Sequence, residues 1–191
     1  MRIKLLAATI LAAGVATAAS AQQADGFSGL YMGGQIGYDS YNVDLRDGTD
    51  AVSLGADGIE GGIFAGYNFQ VQNFVAGIEG QISLSDADSV MTQGLDSIEL
   101  KARESYGLSA RAGALLSDSA LLYVHGGWQK TKFKFNGEGE RFDAWKVGVG
   151  LEYLVTENVS TRAEYSYVDY ENKYGVEPKN SVFQLGVAWH F

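Results

Sequence analysis

Eight stretches of this chain alternate apolar residues with small or polar ones at a period of two. That period is the signature of a sheet whose two faces meet different surroundings. Leu30, Met32, Gly34, Ile36 and Tyr38 alternate with Tyr31, Gly33, Gln35, Gly37 and Asp39. Phe74, Ala76, Ile78, Gly80, Ile82 and Leu84 alternate with Val75, Gly77, Glu79, Gln81 and Ser83. The pattern recurs over 59–67, 100–112, 122–129, 145–153, 159–167 and 183–191, with Glu104 interrupting the apolar face of the fourth stretch. No stretch after the N-terminus approaches 18 consecutive apolar residues, which excludes a membrane-spanning helix.

The connections alternate in length. Phe69–Asn73, Leu116–Ser119 and Leu154–Asn158 read as tight turns, whereas Asp39–Gly58, Ser85–Glu99, Lys132–Phe142 and Glu171–Lys179 read as long polar loops. Short connections at one end and long ones at the other predict an all-β, eight-stranded, antiparallel up-and-down barrel. Pro178 falls in the last long connection, where it cannot interrupt a ladder.

The N-terminus has the three parts of a secretory signal. Arg2 and Lys4 precede an apolar core from Leu5 to Val15, and Ala19-Ser20-Ala21 supplies small residues for cleavage after Ala21. Residues 1–21 are therefore expected to be a cleaved signal peptide, and 22–191 a single barrel domain. Removing Arg2 and Lys4 takes the formal charge from −9 to −11. So acidic a chain is a poor partner for nucleic acid, which is bound by neutralising phosphates. The absence of Cys removes disulfides, thiolate metal sites and cysteine nucleophiles.

Eight amphipathic strands fit two barrels of opposite sense. A soluble barrel turns its apolar face inward, and a membrane barrel turns it toward lipid. The polar face here carries Glu79, Arg103, Arg111, Lys146, Glu152, Arg162 and Glu164, both signs mixed among glycines. Such a set can pair inside a narrow lumen, where an unpaired charge is costly. On the apolar face, Tyr67, Phe74, Tyr153, Trp189 and Phe191 fall toward the short-turn end. Tyr38, Tyr106, Trp128, Trp145 and Tyr167 fall toward the other, as two interfacial belts would.

The final strand places Phe183, Leu185, Val187, Trp189 and Phe191 at every second position. This resembles the terminal assembly signal of bacterial outer-membrane proteins. With Gly29-Leu30-Tyr31-Met32-Gly33-Gly34-Gln35-Ile36-Gly37-Tyr38, Gly66-Tyr67-Asn68-Phe69 and Gly148-Val149-Gly150-Leu151-Glu152-Tyr153, residues 26–191 resemble the small OmpA-like and opacity-type outer-membrane barrels, often called porin-family proteins. The resemblance implies an outer-membrane location and handling by periplasmic chaperones and the barrel-assembly machinery. It also implies contact with outer-membrane lipid and lipopolysaccharide, and a monomer. The chain departs from OmpA itself in that no peptidoglycan-binding domain is expected after the barrel, so the resemblance implies no cell-wall tether.

Residues able to do chemistry are few. His125 reads as a packed lumenal residue and His190 lies at the rim, neither with a Ser spaced as in a lipase. Asp44, Asp47, Asp50, Asp57, Asp86, Asp88 and Asp96 lack the EF-hand pattern and read as solvated charges. No cofactor or metal is expected. Lys130, Lys132 and Lys134 form a basic spot continuing the fifth strand above the bilayer, read either as a contact for lipopolysaccharide phosphates or equally as a hairpin tip that is merely soluble. The expected role is non-enzymatic, serving envelope integrity and surface presentation of loops for adhesion or lipopolysaccharide contact. A narrow channel is the alternative, and a lipid-modifying enzyme stands behind it.

Overall fold

The structure, a computed structural model, describes residues 26–47, 50–85, 88–93, 96–135, 138–171 and 176–191. Within 41–56, 88–103, 133–140 and 176–178 that description is of the backbone. The cleavage residues Ala19 and Ala21 lie outside the described residues.

The described strands are β1 (Gly29–Asp47), β2 (Asp50–Val71), β3 (Phe74–Ser85), β4 (Asp88–Gln93), β5 (Asp96–Ser117), β6 (Ala120–Phe135), β7 (Glu138–Leu154), β8 (Val159–Tyr170) and β9 (Val176–His190). All pairings are antiparallel, between chain neighbours except that β3 pairs β5 and that β1 closes the ring on β9 from Tyr31↔His190 upward. β3 and β4 occupy one position in succession. β3 pairs β5 from Phe74↔Ala114 to Leu84↔Glu104, and β4 continues from Asp88↔Lys101 to Gln93↔Asp96. The result is the expected closed barrel of eight strand positions.

Closure fixes which way each parity points. Ile63 is 65% exposed and Ile36 59%, whereas Glu79 is 5% exposed and Glu152 0%. The apolar face is therefore the outside, in the sense of a membrane barrel rather than a soluble one. All ten aromatics of the two expected belts are on that outer face and exposed. From Trp145 to Tyr153 the strand advances about 27 Å, or about 21 Å once tilted by 40°, close to the height of an outer-membrane apolar band.

The polar connections depart from expectation. β1 and β2 stay paired to Asp47↔Asp50, β6 and β7 to Phe135↔Glu138, and β4 rises from within Ser85–Glu99. Alternation marks a sheet between two different solvents; where both faces meet water it vanishes. The backbone groups still need partners, so the ladder set by the apolar rungs continues upward. Pro178 likewise lies in β9, opposite Val43 of β1. The β8–β9 ladder has its last rung at Asp169↔Lys179, so Pro178 occupies an edge on that side, where proline is tolerated.

Above the barrel the ring divides. The β2–β3 ladder ends at Glu60↔Ser85 and the β7–β8 ladder at Ala144↔Tyr170. Beyond those rungs, β9–β1–β2 and β4–β5–β6–β7 rise as two separate ladders among the described residues.

Candidate functional site in the barrel lumen

The inward parity fills the barrel in three layers. At the short-turn end Phe27, Val75, Leu121 and Tyr123 form an apolar cluster with Leu115 and Leu154 against it. Phe27 precedes β1 and turns into the lumen, held by Asn68 Nδ2 donating to its carbonyl at 3.0 Å. The chain then enters β1 through Gly29, whose φ of +105° is open to glycine and strained for other residues. Space is tight here: a Cβ on Gly150 would overlap the ring of Tyr123.

Charge occupies the next layer. Arg162 grips Glu79 with both guanidinium nitrogens, at 2.6 and 3.1 Å, and donates to Gln35 Oε1 at 2.7 Å. Arg111 donates to Glu152 at 2.5 Å and lies 3.7 Å from Glu79. Glu164 stands 3.7 Å from Arg162 and accepts the Tyr123 hydroxyl at 2.5 Å. The Tyr31 hydroxyl donates to Glu79 at 2.9 Å. Arg111 is also stacked between aromatic rings, its Cζ 4.3 Å from the Tyr123 centroid and 5.1 Å from that of Tyr31.

Toward the loop end the lumen becomes amide-rich. Lys146 Nζ donates to Gln81 at 2.9 Å, and Gln184 donates to Glu60. Asp39 accepts from Asn180 at 2.9 Å and from Ser85 at 2.8 Å. These carboxylates and ammonium groups are nearly or wholly buried, so each depends on its partners to offset desolvation.

The structure thus brings together Glu79, Arg111, Glu152, Arg162 and Glu164, with Lys146 one layer above. The side chain of Arg103 lies outside the described residues. Gln35, Glu60, Gln81 and Gln184 belong to the same network and were not singled out from sequence. Their inward parity is readable there, but neutral amides and a lone carboxylate carry no spacing that marks a partner. The five alternating residues Phe183, Leu185, Val187, Trp189 and Phe191 all lie exposed on the outer face. Among the loop aspartates Asp57 is exposed, and the side chains of Asp44, Asp47, Asp50, Asp86, Asp88 and Asp96 lie outside the described residues.

One cluster has the composition of a hydrolytic triad. Ser160 Oγ lies 3.0 Å from His190 Nε2 and donates to Glu152 Oε1 at 2.7 Å. Proximity of Ser160 to His190 was invisible in the sequence, because it depends on barrel register. The geometry is not that of a relay: His190 Nε2 contacts both Ser160 and Glu152, whereas a relay uses one ring nitrogen for each. All three are buried, with the Phe27 ring edge-on to His190 at 6.1 Å. His125 is buried in the lumen as expected, 3.3 Å from Ser166 Oγ.

Comparison with known proteins agrees with this architecture. The family model described as outer membrane protein beta-barrel domain matches residues 8–191. A 25 kDa outer-membrane immunogenic protein of Brucella melitensis is 30% identical over 180 residues, covering 88% of this chain and 79% of that protein. A 22 kDa outer membrane protein of Rhizobium leguminosarum bv. viciae is 30% identical over 160 residues, covering 81% and 70%. Among solved structures, Neisserial surface protein A is similar in fold, with a TM-score of 0.56 at 19% identity over 86% of this chain and 98% of that one.

Proposed function

Because the chain belongs to the outer membrane protein beta-barrel domain family, and so to the outer membrane, we propose that it is a non-conducting, non-enzymatic envelope barrel carrying its two upper ladders as a surface structure. The observation that carries this reading is the filled lumen. Eight strands enclose only enough room for side chains. Here the Phe27–Leu121 cluster, the Glu79–Arg162 and Arg111–Glu152 pairs, and the Lys146–Gln81 contact occupy successive levels. An ion crossing would have to break several buried, mutually compensating contacts. Purified protein in planar bilayers should give current no different from lipid alone. Reproducible unit openings would replace this reading with a narrow channel.

The surface role belongs to the two ladders, since a rigid barrel tolerates variation where its strands leave the membrane. Adhesion and lipopolysaccharide contact are both compatible with that placement.

Biogenesis adds a second expectation. The Phe191 ring is 61% exposed, and its amide donates to Leu30 O at 3.0 Å, an end rung of the closing ladder. Phe191→Ser removes an interfacial ring and keeps that rung. Refolding into vesicles should therefore stay within about 1 kcal/mol of wild type, as substitutions near the interface do. Assembly in cells should fall sharply, read by loss of the heat-modifiable gel band, if the terminal alternation is what the assembly machinery reads. Normal assembly of the variant would remove that role from Phe191.

A further inference from the structure

Charge in the lumen does not balance among the described side chains. In the lower charged layer Glu79, Glu152 and Glu164 share Arg111 and Arg162. Above it Asp39 is 0% exposed and Glu60 7%, and Lys146 is the buried cation at that level. Its ammonium goes to amides, to Gln81 Oε1 at 2.9 Å and Gln184 Oε1 at 3.5 Å. Among the described residues the two carboxylates meet only neutral donors, Asn180 and Ser85 at Asp39 and Gln184 at Glu60. Each layer is one positive charge short, and a buried carboxylate without a counter-charge is costly.

The two upper carboxylates are close together. Glu60 is opposite Gly37 of β1, and its Oε1 lies 3.1 Å from where a Cβ on Gly37 would be. Asp39 is the next inward residue on β1, about 7 Å further along the strand. The pair repel one another. Two more oxygens at these levels lack partners. Asn180, 2% exposed, gives its Nδ2 to Asp39, which leaves the Oδ1 of the same amide, an acceptor only, with no donor. Ser83, 1% exposed, has an unpartnered Oγ against Gly62, the inward residue next to Glu60 on β2. These groups come from β9, β1, β2 and β3, which adjoin in that order, so they line one wall of the upper lumen.

We propose that Asp39, Glu60, Asn180 and Ser83 form a site for one divalent cation, calcium, in that wall. Two charged and two neutral oxygen ligands suit calcium, which accepts irregular sets at about 2.4 Å and completes them with water. Magnesium holds its own water and demands near-octahedral geometry, which a wall of four side chains does not supply. A shared proton would neutralise one carboxylate and leave the orphaned Asn180 and Ser83 oxygens unserved. A divalent ion serves all four, and two positive charges are what the described lumen lacks. The site lies above the Arg162–Glu79 layer, so it does not depend on the surface role proposed for the upper ladders.

The test titrates the refolded, chelator-stripped mature protein with calcium chloride by isothermal calorimetry. Non-ionic detergent is used, so that no lipid phosphate competes for the ion. One ion should bind per chain. Glu60→Gln keeps the side-chain shape and the Gln184 contact and removes one ligand charge; it should weaken binding about tenfold or more. Asp57→Asn, at an exposed position, should leave binding unchanged. Calcium should raise the urea midpoint of the wild type more than that of Glu60→Gln. In chelator, where the repulsion is unrelieved, Glu60→Gln should unfold at the same urea concentration as wild type or a higher one. Absence of stoichiometric binding, or unchanged affinity in Glu60→Gln, would overturn the proposal. So would a Glu60→Gln protein less stable than wild type in chelator, because the carboxylate would then be well held without a metal. Equal affinity for magnesium would overturn calcium as the occupant.

Discussion

Replacing Arg162 with methionine should destabilise the barrel by about 3–5 kcal/mol, because it leaves Glu79 as a buried carboxylate without its principal counter-charge. Glu79 would retain the Tyr31 hydroxyl at 2.9 Å and a distant Arg111 nitrogen at 3.7 Å, neither of which replaces a two-pronged contact. Methionine keeps most of the side-chain volume against the Phe64 ring, over which the guanidinium carbon lies at 3.4 Å, so packing loss is a minor part of the effect. Equilibrium urea unfolding in vesicles gives the number. Adding Glu79→Gln to Arg162→Met should recover a substantial part of it, since the stranded charge is then gone. Gln35 Oε1 would still lack its Arg162 donor, and the Tyr31 hydroxyl would meet a neutral amide in place of a carboxylate, so recovery stops short of wild type. A double variant no more stable than Arg162→Met would show that the two residues are not coupled. Lys130→Gln is the contrast: its partner Asp143 is partly exposed and also held by Trp128, and the expected cost is below about 1 kcal/mol.

The parity of the network was legible in the sequence; its wiring was not. Glu79, Arg111, Glu152 and Arg162 stand out because a charge on the small-residue face of an alternating strand has nowhere to go but inward. That Glu79 meets Arg162, with Arg111 reaching Glu152, depends on the stagger between strands and on ring closure, neither of which leaves a mark in any single strand. Tyr31, Phe64 and Tyr123 show the complementary limit. Alternation assigns each to the inner face, yet an aromatic there has no obvious reason until the glycines of adjacent strands are aligned beside it. Gly66 lies opposite Tyr31, and Gly150 opposite Tyr123, so each ring lies where its neighbour has no side chain.

The upper ladders were hidden for a different reason. Hydrophobic alternation reports a solvent difference between faces, not hydrogen bonding. Lys132–Phe142 therefore read as loop although its ends are paired strand. Glu104 read as a defect in an apolar face, whereas it sits one rung beyond Tyr106 and beside Lys132, where the surroundings are already polar.

The direction of the apolar face can be tested at one residue. Val149 lies midway between Trp145 and Tyr153 on β7, points outward and is 44% exposed. In a soluble barrel an exposed position of this kind accepts arginine within about 0.5 kcal/mol. At the midplane of a bilayer the same substitution costs about 2–4 kcal/mol, falling to about 0–1 near the interfaces. Val149→Arg is therefore expected to cost about 2–4 kcal/mol in vesicles, and Tyr153→Arg distinctly less. Both residues face outward on one strand, paired to β6 on one side and β8 on the other, so depth is the main variable separating them. Equal costs at the two positions would contradict a band of lipid between the two aromatic belts. A graded cost would tie the period-two pattern directly to the solvent that each face meets.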